Sequence, residues 1–233
     1  MKYLVTGGSG FIGSHLVKLL LKDTNNYVTN IDKLTYASNN KLRELKNNKR
    51  YIFRRLDINN YKKVYKELNL FKPDIIFNLA AESHVDRSIT NSRDFINSNI
   101  IGTFTLLQAS QKYLLKLKKN KKTKFKFIQI STDEVYGSLS KNDRHFSEKS
   151  NFLPNSPYSA SKASADHIVR AWYKTFKFPA ITTHCSNNYG PYQNYEKFIP
   201  MTILNALDKK PITIYGTGKQ LRDWIHVEDH EQA

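Results

Sequence analysis

The sequence predicts an α/β protein built on a doubly wound parallel sheet with helices on both faces. Two observations carry that expectation. Short apolar runs alternate with segments of helical period, and a glycine-rich turn joins the first run to the first helical segment. Length sets the bound: 233 residues hold one large domain, or one domain and the start of another.

Taken in order, the first strand is expected at Tyr3–Thr6. The apolar run from Met1 to Val5 is too short for a signal peptide before Gly7, Gly8 and Gly10 interrupt it. Further strands are expected at Tyr27–Ile31, Tyr51–Leu56, Ile75–Ala80, Phe125–Ile130 and Ala180–Cys185. Between them, Phe11–Lys22, Tyr61–Phe71, Phe95–Leu117 and Tyr158–Phe176 repeat apolar residues at three- and four-residue spacing, so they are expected as helices. The polar stretch Ser138–Pro157, with Pro154 and Pro157, reads as a loop. No internal repeat or low-complexity linker divides the chain. After Cys185 the elements shorten, with candidates at Pro200–Leu207 and Ile212–Tyr215 and a helix beginning near Asp229. The expected division is therefore 1–185 for the sheet domain and 186–233 for the first, incomplete part of a substrate-binding region.

Composition narrows the classes. Hydrophobic residues make up 39% and no stretch approaches a membrane span, so no membrane partner is expected. Cys185 is the only cysteine, which rules out an internal disulfide and fits a reducing compartment, the cytoplasm. The net charge is +17, but the lysines gather in segments that read as solvated helix ends and loops: Lys41–Arg50, Lys62–Lys66 and Lys116–Lys126. No zinc spacing or RNA-binding aromatic signature accompanies them, so specific nucleic-acid binding is not expected. No metal-ligand cluster is legible either. His84 and Cys185 are expected to be structural.

The turn Thr6-Gly7-Gly8-Ser9-Gly10-Phe11-Ile12-Gly13 fits dinucleotide binding in two registers. Gly8, Gly10 and Gly13 match G-x-G-x-x-G, and Gly7, Gly10 and Gly13 give a related three-residue spacing. Glycines there permit the tight turn, the approach of backbone to a pyrophosphate and close helix–sheet packing, while the helix N-terminus supplies amide donors. Asp32, about 20 residues on at the end of the second strand, can accept both ribose hydroxyls. A carboxylate repels a 2′-phosphate, so NAD is expected rather than NADP. Lys33 beside it pulls the other way.

Tyr158 and Lys162 form Tyr-x-x-x-Lys, placing both side chains on one helical face. A nearby ammonium is expected to draw the phenol down from about 10. Asp133 and Glu134 follow the fifth strand, at the sheet edge where open α/β proteins bind ligands. Two carboxyl groups in different environments can serve as acid and base for removing water.

With these motifs the chain resembles the extended short-chain dehydrogenases/reductases, and among them the sugar-nucleotide 4,6-dehydratases. The matching stretches are Thr6–Gly13, Asp32–Ala37, Leu79–Ser88, Ser131–Gly137, Ser156–Asp166, Cys185–Tyr192 and Leu221–His230. Epimerases share the glycines and Tyr-x-x-x-Lys but usually lack the Thr-Asp-Glu run. The resemblance implies a Rossmann-type fold, NAD, and a glucose carried on dTDP or UDP as substrate. It implies that Thr132 bonds the C4 hydroxyl, Tyr158 deprotonates it, Glu134 takes the C5 proton and Asp133 protonates the hydroxyl leaving C6. Lys162 would also hold the nicotinamide ribose. Along the cofactor it places Gly7, Gly10, Phe11, Ile12, Gly13, Asp32, Lys33, Leu34, Thr35, Asp57, Ile58, Leu79, Ala80, Ala81, Ser98 and Asn188. Asn99 would order a water or backbone near the site. Ser83, Thr132, Asn187, Lys197 and Arg222 are implied substrate contacts, the basic pair suiting a diphosphate. A homodimer is implied as well. The family continues beyond the segment around Trp224, which leaves a UDP-glucose dehydratase, an epimerase, or a non-catalytic dinucleotide- or polyanion-binding protein as rivals.

Overall fold

A computed structural model describes residues 1–140, 143–214, 217–218 and 220–233. The first half alternates strand and helix: β1 (Lys2–Thr6), α1 (Phe11–Lys22), β2 (Tyr27–Asp32), β3 (Tyr51–Arg55), α2 (Tyr61–Phe71) and β4 (Ile75–Asn78). Then come α3 (Val85–Thr90), α4 (Ser92–Phe95), a π-helical stretch Ile96–Ile101, α5 (Gly102–Lys116) and α6 (Lys119–Lys122). β5 (Lys126–Thr132) leads into a 3₁₀ turn, Asp133–Tyr136, followed by α7 (Pro157–Phe176) and β6 (Ala180–Cys185). The remainder is β7 (Asn187–Tyr189), α8 (Phe198–Leu207), β8 (Trp224–His226) and α9 (Val227–Gln232).

The six long strands form one parallel sheet in the order β3-β2-β1-β4-β5-β6, with β7 and β8 in a separate parallel pair. The order reverses at β1, between β2 and β4, so the sheet is the doubly wound Rossmann type with its crevice over the β1 and β4 ends. One face buries Leu16, Val17 and Leu21 of α1 against Val5 and Val28. The other buries Leu68, Leu106, Leu107 and Val169 of α2, α5 and α7 against Leu4, Ile76 and Phe127. Each such fully buried side chain contributes about 1.5–3 kcal/mol, and so the helices stay flat on the sheet. At the ligand edge a buried polar set stitches three strands together. Thr6 Oγ1 donates to Asn78 Oδ1 (2.7 Å), and Asn78 Nδ2 donates to Gln129 Oε1 (2.7 Å) and Thr103 Oγ1 (3.1 Å).

Three expectations need correcting. The helix expected over Phe95–Leu117 is interrupted by the π stretch. Asn99 on that stretch clips the Glu82 backbone, accepting from its N–H (2.8 Å) and donating to its carbonyl (3.0 Å), and also donates to Ser161 Oγ (2.8 Å). Those bonds to two other elements hold the wider turn in place. Lys41 was expected in a solvated run, yet it is buried, with its ammonium 5.2 Å from the Tyr192 ring centre. Of the short element expected at Ile212–Tyr215, residues 212–214 take no regular structure and Tyr215 lies outside the described residues. Beyond β6, α9 returns to the first layer and packs on α1, where His15 meets Glu231 at 3.9 Å. Among the described residues no helix is long and apolar enough to cross a membrane.

Candidate active site

The turn after β1 is shaped by what glycine alone allows. Gly7 has φ +70°, and a Cβ there would press 2.7 Å from the Ala80 amide nitrogen. At Gly13 a Cβ would meet the Gly8 Cα at 2.8 Å, so α1 packs tightly beneath the loop. These demands favour the Gly7-Gly10-Gly13 register. Phe11 and Ile12 open α1, which has no side-chain cap, leaving the amides of its first turn for a ligand.

Asp32 ends β2 and closes this region. Its carboxylate accepts from the Ser9 N–H (2.9 Å) and the Leu34 N–H (2.8 Å), and burial raises its pKa against those two bonds. Lys33 pairs with Glu82 at 3.8 Å, which supplies its charge with an acidic partner. Leu34 sits at φ +61° and Thr35 caps the next turn, accepting from the Ala37 N–H. Leu79, Ala80 and Ala81 follow β4, and the Ala80 N–H donates to Thr6 Oγ1 (3.2 Å). Ser98 is buried on the π stretch. Asp57 caps its own turn through the Asn59 N–H (2.9 Å). The Ile58 side chain lies in the core close over Gly102. Asn188 is also spoken for: it faces His230 Nδ1 (2.8 Å) and donates to the Ser186 carbonyl (3.0 Å).

The second turn lies two strands away along the same edge. Thr132 ends β5, donates to Asp133 Oδ1 (3.2 Å) and accepts from the Glu134 N–H (3.3 Å), which bends the chain into the 3₁₀ turn. Opposite it, a capping box between Ser156 and Ser159 with Pro157 at the first position fixes the start of α7. That start sets Tyr158 and Lys162 facing the turn, both buried. Lys162 Nζ donates to the Ile130 carbonyl at 2.6 Å.

Electrostatics separate these groups. Burial raises both Asp133 and Glu134, but their neighbours differ. Asp133 feels Asp223, which raises it further, against bonds from Thr132 and the Glu134 amide. Glu134 feels Asp133 and, working the other way, the cations Lys197 and Arg222. Burial pushes Tyr158 well above the ordinary phenol range, with Glu134 and Cys185 adding to it. The expected depression by Lys162 is thus not met: burial comes first among the causes that raise the phenol, and the ammonium is tethered to the Ile130 carbonyl. Cys185 is pushed up to about 11 by burial, an inert thiol donating to the Ser131 carbonyl.

Of the implied substrate contacts, Lys197 Nζ donates to the Ser83 carbonyl (2.9 Å), bringing those two together. Asn187 Nδ2 reaches the Asp223 carbonyl at 3.4 Å, and Arg222 is exposed and, among the described residues, bonds its neighbour Leu221. Sequence reasoning missed Asp166 and His184, which lie behind the second turn. The spacing of Asp166, four residues past Lys162 on one helical face, was the available signal.

The GDP-mannose 4,6 dehydratase family model matches residues 4–233. A dTDP-glucose 4,6-dehydratase of Haemophilus influenzae is 53% identical over this entire chain, which spans 69% of that protein, and one of Neisseria meningitidis is 52% identical, spanned to 66%. Among solved structures, a Bacillus anthracis dTDP-glucose 4,6-dehydratase in complex with NAD superposes with a TM-score of 0.88 at 44% identity, the match covering all of this chain and 69% of that one. A UDP-glucuronic acid 4-epimerase of Bacillus cereus superposes at 0.89 with 34% identity, over all of this chain and 71% of that one. The chain spans about two thirds of the length of these relatives. The shared fold, the full-length match and the identity above one half place this chain in the GDP-mannose 4,6 dehydratase family.

Proposed function

We propose that the chain dehydrates dTDP-glucose to the 4-keto-6-deoxy sugar with NAD as a recycled cofactor, a lyase reaction. The observation that carries this reading is the pair Asp133 and Glu134, set on one turn against buried Tyr158 and Lys162, with Asp223 acting on the first carboxyl and the cations Lys197 and Arg222 on the second. An epimerase needs only the tyrosine side of this arrangement. The names of the curated relatives support dTDP over UDP.

The glycine turn, the free first-turn amides of α1 and the Asp32 carboxylate fit a dinucleotide. We assign Gly7, Gly10, Phe11, Ile12, Gly13, Asp32 and the Leu79–Ala81 backbone to holding it, with Lys162 on its ribose. Bound there, NAD would supply a reversible hydride acceptor and a positive charge. Thr132 orients the C4 hydroxyl, and Tyr158 accepts its proton once the phenol is ionised against the burial that raises it. Burial and the nearby acidic Asp223 raise the pKa of Asp133, so it suits delivery of a proton to the hydroxyl leaving C6. Lys197 and Arg222 favour the anion of Glu134, so it suits removal of the C5 proton, made acidic by the 4-keto group. Residues 186–233 supply the first part of the substrate region, with Ser83, Asn187, Lys197 and Arg222 toward the diphosphate. Exposed Leu115, Tyr173 and Phe176 on α5 and α7 support a homodimer, and the lone free cysteine a reducing cytoplasm.

The test is incubation with dTDP-glucose and with UDP-glucose in the presence of NAD, followed by assay for a 4-keto-6-deoxy sugar. Product from dTDP-glucose supports the reading. A 4-epimer alone would move the assignment to the epimerases.

A further inference from the structure

We propose that Asp166 is a positioning residue, a buried carboxylate that ties the helix of Tyr158 and Lys162 to both ends of the Thr132–Glu134 turn. Asp166 lies one turn past Lys162 on α7. Its Oδ2 accepts from Ser131 Oγ at 2.5 Å, and Ser131 immediately precedes Thr132. The same oxygen meets His184 Nε2 at 3.1 Å, and His184 Nδ1 meets the Tyr136 hydroxyl at 3.2 Å. Tyr136 is the last residue of the turn. The two bonding routes therefore end on either side of Asp133 and Glu134.

Counting hydrogens fixes the direction of each bond. A carboxylate only accepts, so Ser131 and His184 Nε2 both donate to it. His184 then has a free lone pair on Nδ1, which takes the Tyr136 O–H. The aromatic rings of Phe146 and Phe152 pack on Tyr136 at 5.2 and 5.3 Å and hold it against that imidazole. Charge gives Asp166 its second role. A carboxylate as buried as this one needs a counter-charge, and Lys162 is equally buried with, among the described residues, a neutral carbonyl as its hydrogen-bond partner. The groups facing Lys162 are Asp166 from its own helix and Cys185 from β6. Those facing Asp166 are Ser131 from β5, His184 from β6 and, through the imidazole, Tyr136, beside which Glu148 also lies. Burial works to strip Lys162 of its proton, and Asp166 is the anion that opposes this. The Asp166 charge opposes loss of the Lys162 proton while its bonds hold the turn.

This inference rests on reading these groups as the reacting set, yet its test needs no turnover. The chain would be labelled with ¹³C at lysine Cε, the Lys162 signal assigned through Lys162→Arg, and its titration followed by NMR. Asp166→Asn keeps the shape and removes the charge, and should lower the Lys162 midpoint by about one pH unit or more. Asp166→Glu should restore it, while Ser131→Ala, which keeps the charge, should leave it in place. A midpoint unchanged in Asp166→Asn would overturn the proposal. Should that variant not fold, the native chain still decides. Above the imidazole range, ¹⁵N long-range spectra should show His184 protonated at Nε2, and a proton on Nδ1 would contradict the network. Absence of 6-deoxy product with these results intact would count against the dehydratase reading alone.

Discussion

The turn after β1 and the turn after β5 share one edge of one sheet but rest on different physics. The first is made of backbone: Gly7 leaves no room for a Cβ against the Ala80 backbone, Gly13 lets α1 press against the loop, and the donors are main-chain amides. The second is made of side chains whose protonation depends on burial and on neighbours from α7, β6 and the segment around Lys197 and Asp223. A steric requirement of this kind is local and absolute, so a single methyl group breaks it. An electrostatic one is collective, so a single charge change shifts one step of the chemistry and spares another.

That contrast makes the largest binding effect the steric one. Gly13→Ala should weaken NAD at least about 100-fold, roughly 2.7 kcal/mol, because the added methyl collides with the backbone of Gly7 and Gly8. Calorimetry would measure it, and unaltered affinity would show that the turn is not the cofactor's seat. Asp32 should be a smaller lever. NAD is expected to bind more tightly than NADP, and Asp32→Ala to narrow the gap by about tenfold, near 1.4 kcal/mol, the scale of one charged hydrogen bond. Equal affinity for both cofactors in the unaltered protein would remove Asp32 from that role.

The smallest effect tests whether burial alone moves a charge away from either turn. Lys41 is buried with Lys18 nearby, and its pKa is lowered to about 8. Between about 8 and the unfolded value near 10.4 the unfolded chain binds more protons, so stability should rise with pH across that window. Lys41→Met should therefore be more stable than the native chain at pH 7, by on the order of 1 kcal/mol, and lose that advantage by about pH 10.5. Urea unfolding at the two pH values measures it. A constant difference would mean that packing, not charge, sets the cost of Lys41.

Legibility followed the same line. Glycine spacing and short apolar runs are local patterns, and they located all six sheet strands and the helices α1, α2 and α7 to within two residues at each end. The Thr132–Glu134 turn and the Tyr158–Lys162 face were legible for the same reason. What escaped was set by tertiary contacts. The π stretch exists because Asn99 finds Glu82 and Ser161. Lys41 is buried because Tyr192 covers it, 151 residues further along the chain. The direction of the Tyr158 shift is set first by burial, with Glu134 and Cys185 from two other elements adding to it, and no spacing rule reports that burial. β7 and β8 are three residues each, too short for any period.

The division of labour within the second turn is the central claim, and rapid mixing with dTDP-glucose tests it most directly. The near-ultraviolet absorbance of reduced nicotinamide follows the first hydride step, while 6-deoxy product is quantified in parallel. Tyr158→Phe removes the base for the C4 hydroxyl and should slow the absorbance rise by about 10²–10⁴-fold. Asp133→Asn leaves that base intact and replaces a proton donor by a poor one, so reduced cofactor should accumulate while 6-deoxy product forms slowly. Normal turnover in Asp133→Asn, or identical failure of both variants at the first step, would contradict the account.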